Sequence, residues 1–95
     1  MVTHVVLFRF RDRSPEHLAH CRDLLQGLPA KVAEIRHYEV GINVLSSERA
    51  YDICLYSRFD SFDDLAAYQA HPAHMEVANY LVSAAETRGS VDYES

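Results

Sequence analysis

The stretch THVVLFRF, residues 3–10, decides the fold. It is dense in β-branched and aromatic residues, the composition of a strand. Side chains alternate across a strand, so His4, Val6, Phe8 and Phe10 share one face, and Val5, Leu7 and Arg9 share the other. Both faces are largely apolar. A strand of this kind needs cover on both sides, either in a closed barrel or between its own helices and a partner.

The neighbouring segments show where the first cover comes from. Ser14 is suited to cap a helix, Pro15 to its first position and Glu16 to the positive end of its dipole. Leu18, Cys21, Leu24, Leu25 and Leu28 recur at helical spacing and predict its buried stripe. Gly27 and Pro29 weaken that helix, and a short irregular or helical extension follows to Ala33. Residues 35–44 and 51–59 read as two strands joined by the polar loop SSERA, a central hairpin. Ser61 caps a second helical region with Asp63 and Asp64 in its first turn. Pro72 breaks or kinks it at His71–Pro72, because proline lacks the amide hydrogen and disfavours the α conformation in the residue before it. Met75, Ala78, Leu81, Val82 and Ala85 are the expected apolar side of the next helix. Gly89 is expected to end that helix, and SVDYE to form a short closing strand.

The order β-α-β-β-α-β predicts an α+β, ferredoxin-like protomer, with one four-stranded antiparallel sheet and helices on one face. Residues 1–95 make a single domain. The second apolar face of the sheet is then covered most simply by a second copy, sheet against sheet. The hydrophobic fraction of 48% excludes a disordered chain. A formal charge of −5 with no cluster of Lys or Arg argues against nucleic acid and against an anionic membrane as partners. No apolar run approaches the roughly 18 residues of a membrane span, and no secretory leader pattern opens the chain, so the cytoplasm is the expected location.

The stretch AAYQAHPAH, residues 66–74, gathers Tyr68, His71 and His74, three side chains able to move or share protons. His74 falls in the first turn of a new helix, where the dipole disfavours an imidazolium; a neutral ring suits a general base. Structural roles compete with this one. Tyr68 is also suited to be a core aromatic with a bonded hydroxyl, His71 a helix cap, and His4 a buried ring bonded to backbone or one turned into a cavity under the helices. His17 and His20 lie outside the leucine stripe and are expected to face solvent, and His37 is expected at a core edge or interface. HxxH across a proline is no metal motif, and Asp52, Asp63 and Glu76 are not paired with it, so no metal site is expected. Cys21 and Cys54 lack CxxC spacing and read as buried apolar thiols.

THVVLFRF, YEVGINV, YDICLYSRFDSFDDLAAYQAHPAH and the closing VDYE together resemble the stress-responsive dimeric A/B barrel (Dabb) family over roughly residues 2–94. The resemblance implies that two such protomers pack their sheets into a dimeric α+β barrel, with a cavity between sheet and helices. Many members are known only as stress-responsive, with no activity assigned, so a non-catalytic domain is the alternative reading. A polyketide-cyclase branch closes aromatic rings by intramolecular aldol condensation without a cofactor. Carried over residue by residue, that branch implies Tyr68 and His74 as the reactive pair. His4 would line the pocket, with Val6, Phe8 and His71 as further substrate-binding positions. The chain departs from the branch in two places. Ile53 stands where the third strand would carry a histidine, and Leu18 and Cys21 stand where the first helix would bring large aromatics, so the apolar end of the pocket has a different shape.

Overall fold

The computed structural model describes residues 1–95. In chain order the elements are β1 (Val2–Phe10), α1 (Pro15–Gln26), β2 (His37–Ile42), β3 (Ile53–Phe59), α2 (Phe62–Ala70), α3 (Pro72–Ala84) and β4 (Ala85–Glu94). The four strands form one antiparallel sheet in the order β2-β3-β1-β4. The expected ferredoxin-like protomer is what forms. No helix is long and apolar enough to cross a membrane.

The alternation of β1 holds: Val2, His4, Phe8 and Phe10 are buried under the helices, while Val5 and Leu7 are half-buried on the opposite face. On β3 the same rule buries Ile53, Leu55, Ser57 and Phe59, leaving Cys54, Tyr56 and Arg58 on the open face. Cys54 is therefore a half-buried sheet-face residue rather than a core thiol, whereas Cys21 is fully buried as expected. Val91 and Tyr93 pair with Val5 and Thr3 and extend the uncovered apolar face onto β4.

The local signals for α1 and for the break in the second helical region act as read. The Ser14 hydroxyl accepts from the His17 amide, with Pro15 at the first position. His71 is at once the C-cap of α2 and the N-cap of α3, extended at φ −65° and ψ 134°, the conformation a residue before proline prefers. The helix that starts at Pro72 turns a different face inward from the one its apolar spacing suggests. Ala73, Val77, Leu81 and Ala84 pack inward, and the expected core residues Met75 and Val82 are exposed instead.

The end of α3 also differs from expectation. The helix stops at Ala84, not at Gly89, and β4 runs ten residues. Arg11 supplies the stop from the β1–α1 connection: its guanidinium donates to the Ser83 carbonyl at 2.8 Å, and its amide donates to the Ala84 carbonyl at 3.3 Å. A cation and an amide on the last carbonyls satisfy acceptors that the helix leaves orphaned. From Ala85 onward the chain pairs with β1 along nearly its whole length. Gly89 is then a mid-strand residue opposite Leu7.

One ion pair, its carboxylate buried and its guanidinium half-exposed, closes the far end of β1. Asp52 accepts from the Phe10 amide at 2.8 Å and from Arg13 Nε at 3.0 Å, and its own amide donates to the Phe8 carbonyl at 2.7 Å. The contact falls just past the last β1–β3 pair, Phe8 with Ile53, so Asp52 takes up the amide beyond the end of that ladder.

Candidate functional site

A cavity of about 460 Å³ opens between the sheet and α3. Val6, Phe8, Leu25, Leu55, Val77 and Leu81 give it apolar walls, and His4, Tyr68, Gln69 and His74 supply polar groups. Arg88, Gly89 and Ser90 of β4 complete it. A few convergent polar groups on an apolar wall is the usual make-up of a small-molecule pocket.

His74 sits in the first turn of α3 and is held by one bond, Nδ1 to the Gln69 carbonyl at 3.0 Å. A carbonyl only accepts, so Nδ1 carries the hydrogen and Nε2 keeps the lone pair of the neutral ring. Burial holds its pKa below the ordinary imidazole value, the Gln69 bond opposes this, and the nearby His4 and His71 push it further down. The direction is the one expected from the sequence, with burial as the leading cause.

Tyr68 comes from the last turn of α2 and is fully buried, its ring 4.4 Å from that of His74 and 5.0 Å from that of Phe59. Its hydroxyl lies 2.8 Å from that of Tyr38 on β2. Burial pushes the Tyr68 pKa up to about 12, while the bond from Tyr38 lowers it. Burial raises Tyr38 as well, and the same bond raises it further. Either hydroxyl can donate in this bond; with Tyr38 as the donor, the Tyr68 hydrogen is free for another acceptor.

His4 is buried on β1, its ring edge-on to Tyr68 at a centroid distance of 6.4 Å. Its Nδ1 is hydrogen-bonded to the carboxylate of Asp92, its cross-strand neighbour on β4. Cross-strand partners project to one side of the sheet, so the pairing of β1 with β4 alone brings this acid and imidazole together.

Of the positions read from the sequence, His4, Val6, Phe8, Tyr68 and His74 therefore meet at one cavity. His71 does not line it; its Nδ1 accepts from the Ala73 amide at 3.0 Å and serves as the helix cap. Asp92, Tyr38 and Arg88 are not apparent from the sequence. The first two act through partners far away in the chain, and the residues around Arg88 read locally as a helix terminus. His17, expected in solvent, is half-buried and joins α1 to α3, its Nε2 3.0 Å from the Tyr80 hydroxyl and its Nδ1 2.7 Å from the Asp12 carbonyl. Cys21, 3.6 Å from that ring, has its pKa pushed up to about 11 by burial, which disfavours the nucleophilic thiolate. No three His, Cys, Asp or Glu side chains converge as metal ligands would.

The family model of the stress responsive A/B barrel domain matches residues 2–95. The chain belongs to this family. One stress-response A/B barrel domain-containing protein of Arabidopsis thaliana is 32% identical over 84 residues, which cover 86% of this chain. The match takes in 32% of that protein, so the chain spans about a third of this relative's length. A crystal structure described as a dimeric protein of unknown function with a ferredoxin-like fold, from Bacteroides fragilis, is 37% identical to this A/B barrel domain. It superposes with a TM-score of 0.84 over 99% of this chain and 95% of its own. The hydroxynitrile lyase of Passiflora edulis superposes with a TM-score of 0.85 over 97% of this chain and 90% of its own, at 18% identity, a likeness of fold.

Proposed function

We propose that the cavity is the pocket of a cofactor-independent enzyme acting on a carbonyl compound, a cyclase, lyase or isomerase whose chemistry is proton transfer. The observation that carries this is His74: a half-buried neutral imidazole on the cavity wall, its Nδ1 hydrogen fixed by a carbonyl and its Nε2 unengaged. Nε2 removes a proton from the carbon next to a substrate carbonyl. The electron pair moves onto the carbonyl oxygen, and the Tyr68 hydroxyl, itself accepting from Tyr38, donates to the oxyanion. The enolate carbon then attacks a second carbonyl of the same molecule, or is reprotonated elsewhere, and the imidazolium returns the proton. Base and donor each contribute about 10²–10³-fold in such systems. Tyr68 is fully covered, so the His74 ring tilted against it shifts to admit the substrate oxygen. The fold likeness to a hydroxynitrile lyase supports the reading by analogy only.

The same complete cover of Tyr68 favours a second reading, a non-catalytic stress-responsive domain in which Tyr38, Tyr68 and His74 hold the α2–α3 junction to the sheet. Incubation with a panel of β-polyketo compounds and cyanohydrins separates the two. Product formed by the wild type and abolished in His74→Ala supports the enzyme. No turnover across the panel, with both His74→Ala and Tyr68→Phe losing about 1–3 kcal/mol of stability, favours the structural role.

The working unit in this proposal is a homodimer. Val5, Leu7, Tyr56, Val91 and Tyr93 make an apolar sheet face that the chain's own helices do not cover, and the Bacteroides fragilis relative is described as dimeric. Packing of two such faces would bury it. The cytoplasm remains the proposed location.

A further inference from the structure

We propose that Arg88 is an anion-binding end of the cavity and that the ligand is a carboxylate with an apolar body. The inference rests on the reading of this cavity as a small-molecule pocket and adds the class of molecule it takes. Arg88 lies on β4 opposite Phe8 and faces the cavity with Gly89 and Ser90 beside it. It is the one lining residue with a permanent charge. Arg9, Arg11, Arg13, Arg22, Arg36 and Arg58 each donate to a carbonyl, carboxylate or hydroxyl oxygen, and Arg49, which does not, lies outside this cavity. The Arg88 side chain makes no hydrogen bond and no ion pair, and the carboxylate of Asp92, on the same face of β4, is turned to His4.

A guanidinium presents a planar fork of donors that matches a carboxylate and stays protonated at any ordinary pH. Val6, Phe8, Leu55 and Leu81 make room for hydrocarbon, not for a second charged group, which favours a monoanion with a ring or chain over a free phosphate. The chain carries a net charge of −5, so an anion is repelled by the molecule as a whole and attracted at this point. Four strand residues separate the Phe8–Arg88 pair from the His4–Asp92 pair, on the order of 13 Å at about 3.3 Å per residue. Arg88 is therefore set on the strand well away from the His4–Asp92 end of the cavity.

The probes are 4-phenylbutyrate and its near-isosteric neutral amide, 4-phenylbutyramide, titrated into the protein with the Gly89 and Ser90 amide resonances as readout. The acid is expected to bind about three- to tenfold more tightly than the amide at low salt, the worth of one partly exposed charge-assisted contact. That preference disappears in Arg88→Gln, is partly kept in Arg88→Lys, and fades as salt is raised. Equal affinity for acid and amide, a preference unchanged in Arg88→Gln, or no binding of either compound up to its solubility overturns the proposal. Because the preference needs no turnover, a protein that binds the acid selectively and catalyses nothing would overturn the enzyme reading alone. Turnover without the preference would overturn this one alone.

Discussion

Replacing Asp92 by alanine should loosen β4 and expose how the site is held. The His4 side chain is 8% exposed and that of Asp92 39%. The change strips a buried imidazole N–H of its acceptor, a loss of about 1–3 kcal/mol for a fully buried donor. With Asp92 more than a third exposed, water takes over part of that role, which sets the expectation near the lower end, about 1–1.5 kcal/mol. In a domain of this size that corresponds to a fall in Tm of roughly 4–12 °C. Urea unfolding followed by circular dichroism measures it, at one fixed protein concentration because dimer stability depends on concentration. The double-mutant cycle with His4→Ala isolates the pair: Asp92→Ala should cost little once His4 is gone, with a coupling of at least about 0.5 kcal/mol. Additive single losses, or a wild-type-like Asp92→Ala, would refute the pairing of these two residues as the tie between β1 and β4.

Other consequences follow from the same structure. Asp52→Ala leaves the buried Phe10 amide without its acceptor and is expected to cost about 2–3 kcal/mol in urea unfolding, with Asp52→Asn milder because one acceptor remains. His74 has its pKa lowered on folding, so the unfolded chain takes up the proton first as pH falls. Stability should therefore be fully present above about pH 6.5, the ordinary value, and decline as pH drops through the lower folded one; His74→Gln should flatten that part of the profile. Leu7→Arg places a charge on the open sheet face without touching the cavity wall, and sedimentation at micromolar concentration should show a monomer where the wild type is a dimer.

The fold is legible in the sequence because its main signals are local. Alternation in residues 3–10 defines the buried face, Ser14 and Pro15 begin α1, and proline at 72 forces the break at His71. The end of α3 is not legible this way. Ala84, Ala85 and Glu86 suit a helix, and only Arg11, far back in the chain, caps Ala84 and releases the rest to pair with β1. Reading a helix through to Gly89 conceals Arg88 and Gly89 as cavity residues. Met75 and Val82 fall outside the core because α3 is apolar on more than one side, and tertiary packing turns Ala73, Val77, Leu81 and Ala84 inward. The cavity pair Tyr68 and His74 can be singled out because they stand only six positions apart. Their supports Tyr38 and Asp92 are ordinary strand residues until the sheet register brings them into place.

The central claim is that His74 is a general base facing a carbonyl substrate, and deuterium uptake tests it without the natural substrate. A β-diketone with an apolar tail is incubated in D₂O with the protein, and exchange at the carbon between the carbonyls is followed by NMR. Exchange is expected to be faster than in buffer, rising with pH through a midpoint below about 6.5, lost in His74→Ala and reduced about tenfold or more in Tyr68→Phe. Exchange no faster than in buffer, or equally fast in His74→Ala, would contradict it.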